Sequence, residues 1–182
     1  MLIAHALVLA LAASSWLDAP APANWNVAGA SIPRAPHADT SMNARCIGAG
    51  LTRKPASALD RAVVAAGWML FNKPNASGTS VILDGQAGFD GMCRPLYYQA
   101  FVFAGGRFAG TLAPKPMQSR TLGSLQFPKF ASAAKIVATF NHYADSDPLC
   151  CPSKLTDVAF LLKTTSRGPL VAPLSARTYA SQ

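Results

Sequence analysis

Glutamate is missing from this 182-residue chain, and all eight acidic residues are aspartates. Glu favours helices and Asp does not, so the composition leans towards strands and turns. The same absence leaves few carboxylates for acid–base chemistry. The first 23 residues carry no lysine or arginine, and no cysteine precedes Cys46. The apolar run 2–13 is too short to span a bilayer. Internal repeats and low-complexity tracts are absent. So are the G-x-S-x-G elbow of serine hydrolases and the CxxC pairs of zinc ribbons and thioredoxin-like sites.

What is present fits one domain behind a leader. Apolar residues make up 51% of the chain, enough for a core, and 16 basic residues against 8 acidic give a net charge of +8. A basic balance of this size suits an anionic environment. The apolar run 2–13 precedes small residues and the A-x-A pattern Ala21-Pro22-Ala23. Together these read as a secretory signal peptide, residues 1–23, whose removal raises the net charge by one. Residues 24–56, broken by Pro33, Pro36 and Pro55, read as an extended arm with too little apolar area to order itself unaided.

Residues 57–182 read as a single α+β domain. Ser57 caps the best helix candidate, Asp60 stands in the capping-box position and near the positive end of the helix dipole, and Gly67 ends it. Its apolar face is Leu59, Val63 and Ala66. Strands follow at residues 68–72 and 79–83. Residues 73–78 read as a turn on Pro74, Asn75 and Gly78, and residues 84–94 as a loop. Residues 96–103 and 107–112 form a hairpin around Gly105-Gly106, whose backbone freedom a short turn needs; Pro114 and Pro116 stop it. Residues 121–129 read as irregular. Alternation marks residues 134–143 and 155–164 as strands, with a short last one at 170–174. The expected architecture is one N-terminal helix packed on an antiparallel sheet of about five or six strands, stapled by disulfides.

Four segments carry a resemblance: Asp147-Pro148-Leu149-Cys150-Cys151-Pro152-Ser153, Phe89-Asp90-Gly91-Met92-Cys93-Arg94-Pro95, the hairpin core Tyr98-Gln99-Ala100-Phe101-Val102-Phe103, and Phe108-Ala109-Gly110-Thr111-Leu112-Ala113-Pro114. Together they resemble the bacterial LppP/LprE lipoprotein family and its soluble secreted relatives over residues 58–164. The resemblance implies an exported envelope protein. It brings no enzymatic activity and no catalytic residues. The lipid-attachment cysteine of the lipoproteins is not found after the leader, which favours a soluble periplasmic or secreted form without a transmembrane segment.

The four cysteines, Cys46, Cys93, Cys150 and Cys151, are disulfide candidates in an oxidising compartment. Adjacent cysteines seldom pair, because the bond strains the peptide between them. Cys150 and Cys151 are therefore expected to reach separately to Cys93 and Cys46. The competing readings are a vicinal redox pair and a thiolate metal site drawing on His142 or Asp147. Ser119, Ser153, His142, Asp145 and Asp147 are the raw materials of a hydrolase, but turn loops use Asp for backbone bonding and nothing in the spacing assembles them. No catalytic residue, cofactor or metal is nominated. Aromatics beside Arg94 and Arg107 would suit base stacking, yet half of them must face a core, and export removes nucleic acid as a partner. The nominated contact residues are Arg94, Lys115, Gln118, Ser119, Arg120 and Asp147. An anionic envelope polymer or an envelope protein is the expected partner. The expected role is non-catalytic binding or envelope structure, with a thiol-dependent redox or metal-binding role at Cys150–Cys151 as the alternative.

Overall fold

The computed structural model describes residues 15–181. Eight strands form two antiparallel meanders. The first sheet is β1 (Met69–Ser77), β2 (Ser80–Phe89), β3 (Pro95–Ala104) and β4 (Arg107–Thr111). The second is β5 (Leu125–Ser132), β6 (Lys135–His142), β7 (Lys154–Thr165) and β8 (Gly168–Ala180). Two short helices, α1 (Asn43–Gly48) and α2 (Ala58–Ala65), precede them.

The expected α+β domain of one helix on one sheet is thereby corrected: the protein is mostly β, with two sheets. The difference lies in strands that their residue types conceal. β2 continues through Asp84, Gly85, Gln86 and Gly88, which read as a loop. Those glycines are small because neighbours press on them. A Cβ at Gly85 would lie 3.0 Å from Phe101 and Trp68, and one at Gly88 would lie 3.0 Å from the Asp39 carbonyl. β5 contains Pro128 and β1 runs past Pro74 through Asn75-Ala76-Ser77, which is strand and not turn. Both are edge strands, where a missing donor costs no ladder bond.

α2 forms as its sequence specifies. The Ser57 hydroxyl accepts from the Asp60 backbone N–H at 3.0 Å, and the Asp60 carboxylate accepts in return from Ser57 at 3.1 Å and Ala56 at 2.9 Å. Val63 is fully buried and packs with Trp68, Leu70, Leu83, Phe101 and Phe103 on the outer face of the first sheet. The arm covers the rest of that face through Ile32 and Ala35, and the Pro33 carbonyl accepts from the Trp68 indole at 2.7 Å.

The inner faces of the sheets make the main core. Ile82, Ala100, Val102, Ala109 and Leu112 meet Ile136, Ala138, Phe140, Val158, Phe160 and Val171. Residues 15–26 belong to this core. Leu17 is 1% exposed, Trp16 lies edge-on to Phe140 at 5.0 Å, and Trp25 to Phe160 at 6.1 Å. The Asn26 amide then joins the two sheets: its NH2 donates to the Thr111 carbonyl at 2.9 Å and the Val171 carbonyl at 3.1 Å, while its oxygen accepts from the Thr111 N–H at 2.9 Å. At the opposite edge Asn75 donates to the Pro128 carbonyl at 2.9 Å. The signal peptide expected over residues 1–23 falls in part, residues 1–14, outside the described residues.

The disulfide pattern also differs from expectation. Cys46 is bonded to Cys93, with Cα atoms 5.5 Å apart, and Cys150 is bonded to its neighbour Cys151. The cross-pairing fails on topology. α1 lies against β2, so Cys46 meets the β2–β3 turn of the first sheet, whereas Cys150 and Cys151 stand exposed in the β6–β7 connection of the second.

Candidate functional site

The clearest concentration of polar groups facing a cavity lies on the inner face of the first sheet, beyond the apolar core. Residues two apart on a strand share a face, so Asp84 and Gln86 continue the row begun by Ile82. Across the ladders Asp84 pairs with Phe71 and Gln86 with Tyr98. Two adjoining cavities open here, of about 270 and 350 Å³, sharing Phe71, Asn72 and Pro95. Asp84, Tyr98, Ser119 and Leu125 line the first; Leu51, Gln86, Phe89 and Cys93 line the second.

A chain of hydrogen bonds fixes the site to α2. The ladder between β1 and β2 slips between Phe71 and Asn75. Within that bulge Asn72 takes φ 52° and its NH2 donates to the Asp84 carboxyl at 2.9 Å. Arg53 donates to the Asn72 carbonyl at 2.7 Å and to the Asp60 carboxylate at 2.7 Å. Burial pushes the Asp84 carboxyl above the usual carboxylate range, opposed by the Asn72 bond and the charge of Arg53. The Arg53 bond, aided by backbone donors, holds Asp60 well below that range against its burial. The Tyr98 hydroxyl donates to the Leu125 carbonyl at 2.9 Å, and burial raises its pKa.

Two further features set this cleft apart. Gln86 is 0% exposed, and neither atom of its side-chain amide has a partner. Among the described residues the non-glycine residues at positive φ are Asn72, Cys93, Tyr97 and Arg120. Asn72 and Cys93 line the cleft, and Tyr97 and Arg120 are the chain neighbours of the lining residues Tyr98 and Ser119. Such conformations cost on the order of 1 kcal/mol each and gather at functional sites. A groove of about 440 Å³ under the arm, lined by Trp25, Trp68, Phe108 and Arg34, lacks this character. Its buried Gln99 is satisfied by Ala113 and Ala100.

The nominated residues separate into distinct places. Ser119 lines the cleft and donates to the Pro95 carbonyl at 2.8 Å. Lys115 and Gln118 line a neighbouring groove of about 620 Å³ with Trp16 and Met117. Met117 anchors this loop by a two-way backbone bridge to Tyr98, leaving Lys115, Gln118 and Arg120 exposed. Arg94 is committed to an ion pair with Asp90. Asp147 closes its own loop, accepting from Ser153 N, Ala144 N and the Ser153 hydroxyl, and these bonds lower its pKa. His142 contacts Thr156 at 2.9 Å and Asp18 at 3.4 Å, so it forms no triad with Ser119 or Ser153. Among the described residues no three His, Cys, Asp or Glu side chains form a group able to hold a metal. Sequence reasoning missed Asp84, Gln86 and Asn72. The available signal was two polar residues on one parity of β2 in register with Ile82.

The chain is thus a two-sheet β-protein carrying a polar cleft of strained and unpaired groups. The model of the LppP/LprE lipoprotein family matches residues 72–164, half of the chain; the chain belongs to that family. Membership points to an envelope-associated protein. The match begins at Asn72 and spans Asp84, Gln86, Tyr98 and Ser119. No curated protein and no solved structure matches the chain. Among the described residues no helix is long and apolar enough to cross a membrane.

Proposed function

We propose that this protein is exported, periplasmic or secreted, and acts without catalysis by holding an anionic envelope polymer. The polymer lies along the basic loop of Lys115 and Arg120 and places a substituent in the cleft. The contiguity of loop and cleft carries the reading: Ser119 belongs to the loop and lines the cavity. The cleft itself offers amides, a carboxyl and aromatic walls, which suit hydrogen-bonded recognition. Cys93 is disulfide-bonded and the Ser119 hydroxyl is engaged, so neither serves as a nucleophile.

Export carries a corollary. The expected leader ends at about Ala23, and its removal would take Trp16 and Leu17, both packed in the core, with it. The intact mass of protein recovered from a periplasm checks this: a product starting near Asn24 supports the leader, and a product that keeps Met1 refutes export. Binding is tested by titrating ¹⁵N-labelled protein with soluble fragments of an anionic envelope polymer. Backbone shifts are expected at residues 115–120, and a Lys115→Ala/Arg120→Ala double variant weakens binding by roughly tenfold at low salt. Shifts absent from the loop, or equal affinity in the double variant, would refute the reading.

The pairing of Cys150 with Cys151 favours a second reading as a thiol–disulfide switch. The bond is exposed, so an external dithiol can reduce it to two thiols while Cys46–Cys93 stays closed. Native-state alkylation under mild reductant should then label two residues; none, or all four, sinks that reading.

A further inference from the structure

We propose that the cleft binds a primary ammonium group, held by the Asp84 carboxylate within a corner of aromatic rings. This rests on the binding role given to the cleft above and names the substituent it selects, an amine carried by the anionic polymer.

The 270 Å³ cavity brings one carboxyl together with three aromatic side chains, Phe71, Tyr98 and Phe127. Phe71 and Tyr98 stand edge to face, with 6.1 Å between centroids and 81° between planes, so the two rings make a corner. Phe127 comes from β5 of the second sheet and is 55% exposed, which leaves its ring open to a ligand. A cation over such faces is attracted by their negative π surface. Asp84 is half-buried and lines the same cavity. Its Oδ2 accepts from Asn72 at 2.9 Å. Among the described residues no group donates to its Oδ1 and no cation pairs with it, and that oxygen remains accessible.

The other polar atoms of the cavity add acceptors. The Ser119 hydroxyl donates its hydrogen to the Pro95 carbonyl, and the Gln126 NH2 donates to Asn141 at 2.7 Å. The Ser119 oxygen and the Gln126 carbonyl are left to accept. A ligand here has to bring hydrogens, and a primary ammonium brings three with a positive charge. A carboxylate or a phosphate diester brings none and meets Asp84 as a like charge. An alcohol brings one hydrogen and no charge. Arg53 does not take the ligand's place, because it is bound to Asp60 and to the Asn72 carbonyl. Burial raises the Asp84 carboxyl above its ordinary range, and a cation paired with it would offset that desolvation. The basic loop of Lys115 and Arg120 beside this acidic cleft suits a polymer that carries both signs of charge.

The matched probes are n-butylammonium, 1-butanol and pentanoate, which carry the same butyl chain on a cationic, a neutral and an anionic head. The exported protein, ¹⁵N-labelled, is titrated with each while the Asn72 side-chain NH2 and the backbone signals of Phe71 and Asp84 are followed. Butylammonium should shift these signals saturably and bind at least about tenfold more tightly than butanol or pentanoate. Asp84→Asn keeps the shape and removes the charge. It should weaken butylammonium binding at least about tenfold while the melting temperature holds or rises. Phe127→Ala, at an exposed position, should weaken it about threefold. Equal binding of butanol or pentanoate, undiminished binding by either variant, or no butylammonium shift at all would each overturn the proposal. If butylammonium fails while polymer fragments still shift loop and cleft, the ammonium assignment falls and the polymer reading stands. If butylammonium binds as expected and the fragments do not, the pocket chemistry stands and the polymer reading falls.

Discussion

Asp60 does three things with one carboxylate: it caps α2, it pairs with Arg53, and through Arg53 it steadies Asn72 beside Asp84. It is 1% exposed, and removing one member of a buried pair leaves the other uncompensated. Asp60→Ala should lose about 3 kcal/mol of stability, read as a lower urea midpoint. The sign of the pH effect follows from the direction of the shift. A carboxylate held below its usual range contributes fully above that range and loses its contribution as pH falls through it. The wild type should therefore lose stability steeply in acid, and Asp60→Ala should lose less. Asp84 has the opposite sign: its raised pKa makes its charged form a cost that grows as pH rises through the carboxylate range, so Asp84→Asn should stabilise the protein at neutral pH. At Gly110, φ is +135° and a Cβ would lie 2.3 Å from the Asn26 side chain. Gly110→Ala should displace the Asn26 bridge and cost at least about 2 kcal/mol in the same denaturation measurement.

Among the elements, residues 15–26 and β2 teach the most. The first segment forms no strand or helix, yet Leu17 is as buried as any strand residue and two tryptophans seal the sheets beside it. Leu17→Ala should cost about 3 kcal/mol, the ordinary penalty for a large-to-small change in a packed core; a value near zero would place this segment outside the folded unit. Its Ala-Pro-Ala pattern suits a protease as well as a turn, and spacing along the chain says nothing of the burial beside it. In β2, Gly85 and Gly88 are small because Phe101, Trp68 and Asp39 press against them, while Asp84 and Gln86 are polar because they face a cleft. The residues that hide the strand are those that build the site. By contrast, the helix at Ser57 and the Gly105-Gly106 hairpin were legible, because capping and tight turns are settled within four residues.

For the whole molecule, the two disulfides should separate cleanly. Cys46–Cys93 closes a 47-residue separation and ties the arm to the first sheet. Its removal by Cys46→Ser/Cys93→Ser should cost about 3–4 kcal/mol in thermal or chemical unfolding. Cys150–Cys151 closes no loop, so Cys150→Ser/Cys151→Ser should change stability by under about 0.5 kcal/mol. Similar losses in both variants would show that the exposed loop supports the fold more than its position implies. The layers explain the asymmetry. Helix, arm and first sheet must be held against one another across long stretches of chain, whereas Cys150 and Cys151 stand side by side within the one connection between β6 and β7.

By itself the sequence determined the local facts: the capped helix, the hairpin, the alternating strands β6 and β7, and the family through its loop segments. These depend on residues close in the chain, where spacing and turn chemistry decide the outcome. Tertiary structure alone decided the division into two sheets, the partner of each cysteine, the place of Trp16 and Leu17 in the core, and the meeting of Asn72, Asp84 and Gln86 with Ser119. Those depend on which faces come together across dozens of residues. A polar residue on a strand declares its purpose only when the cavity opposite it is known.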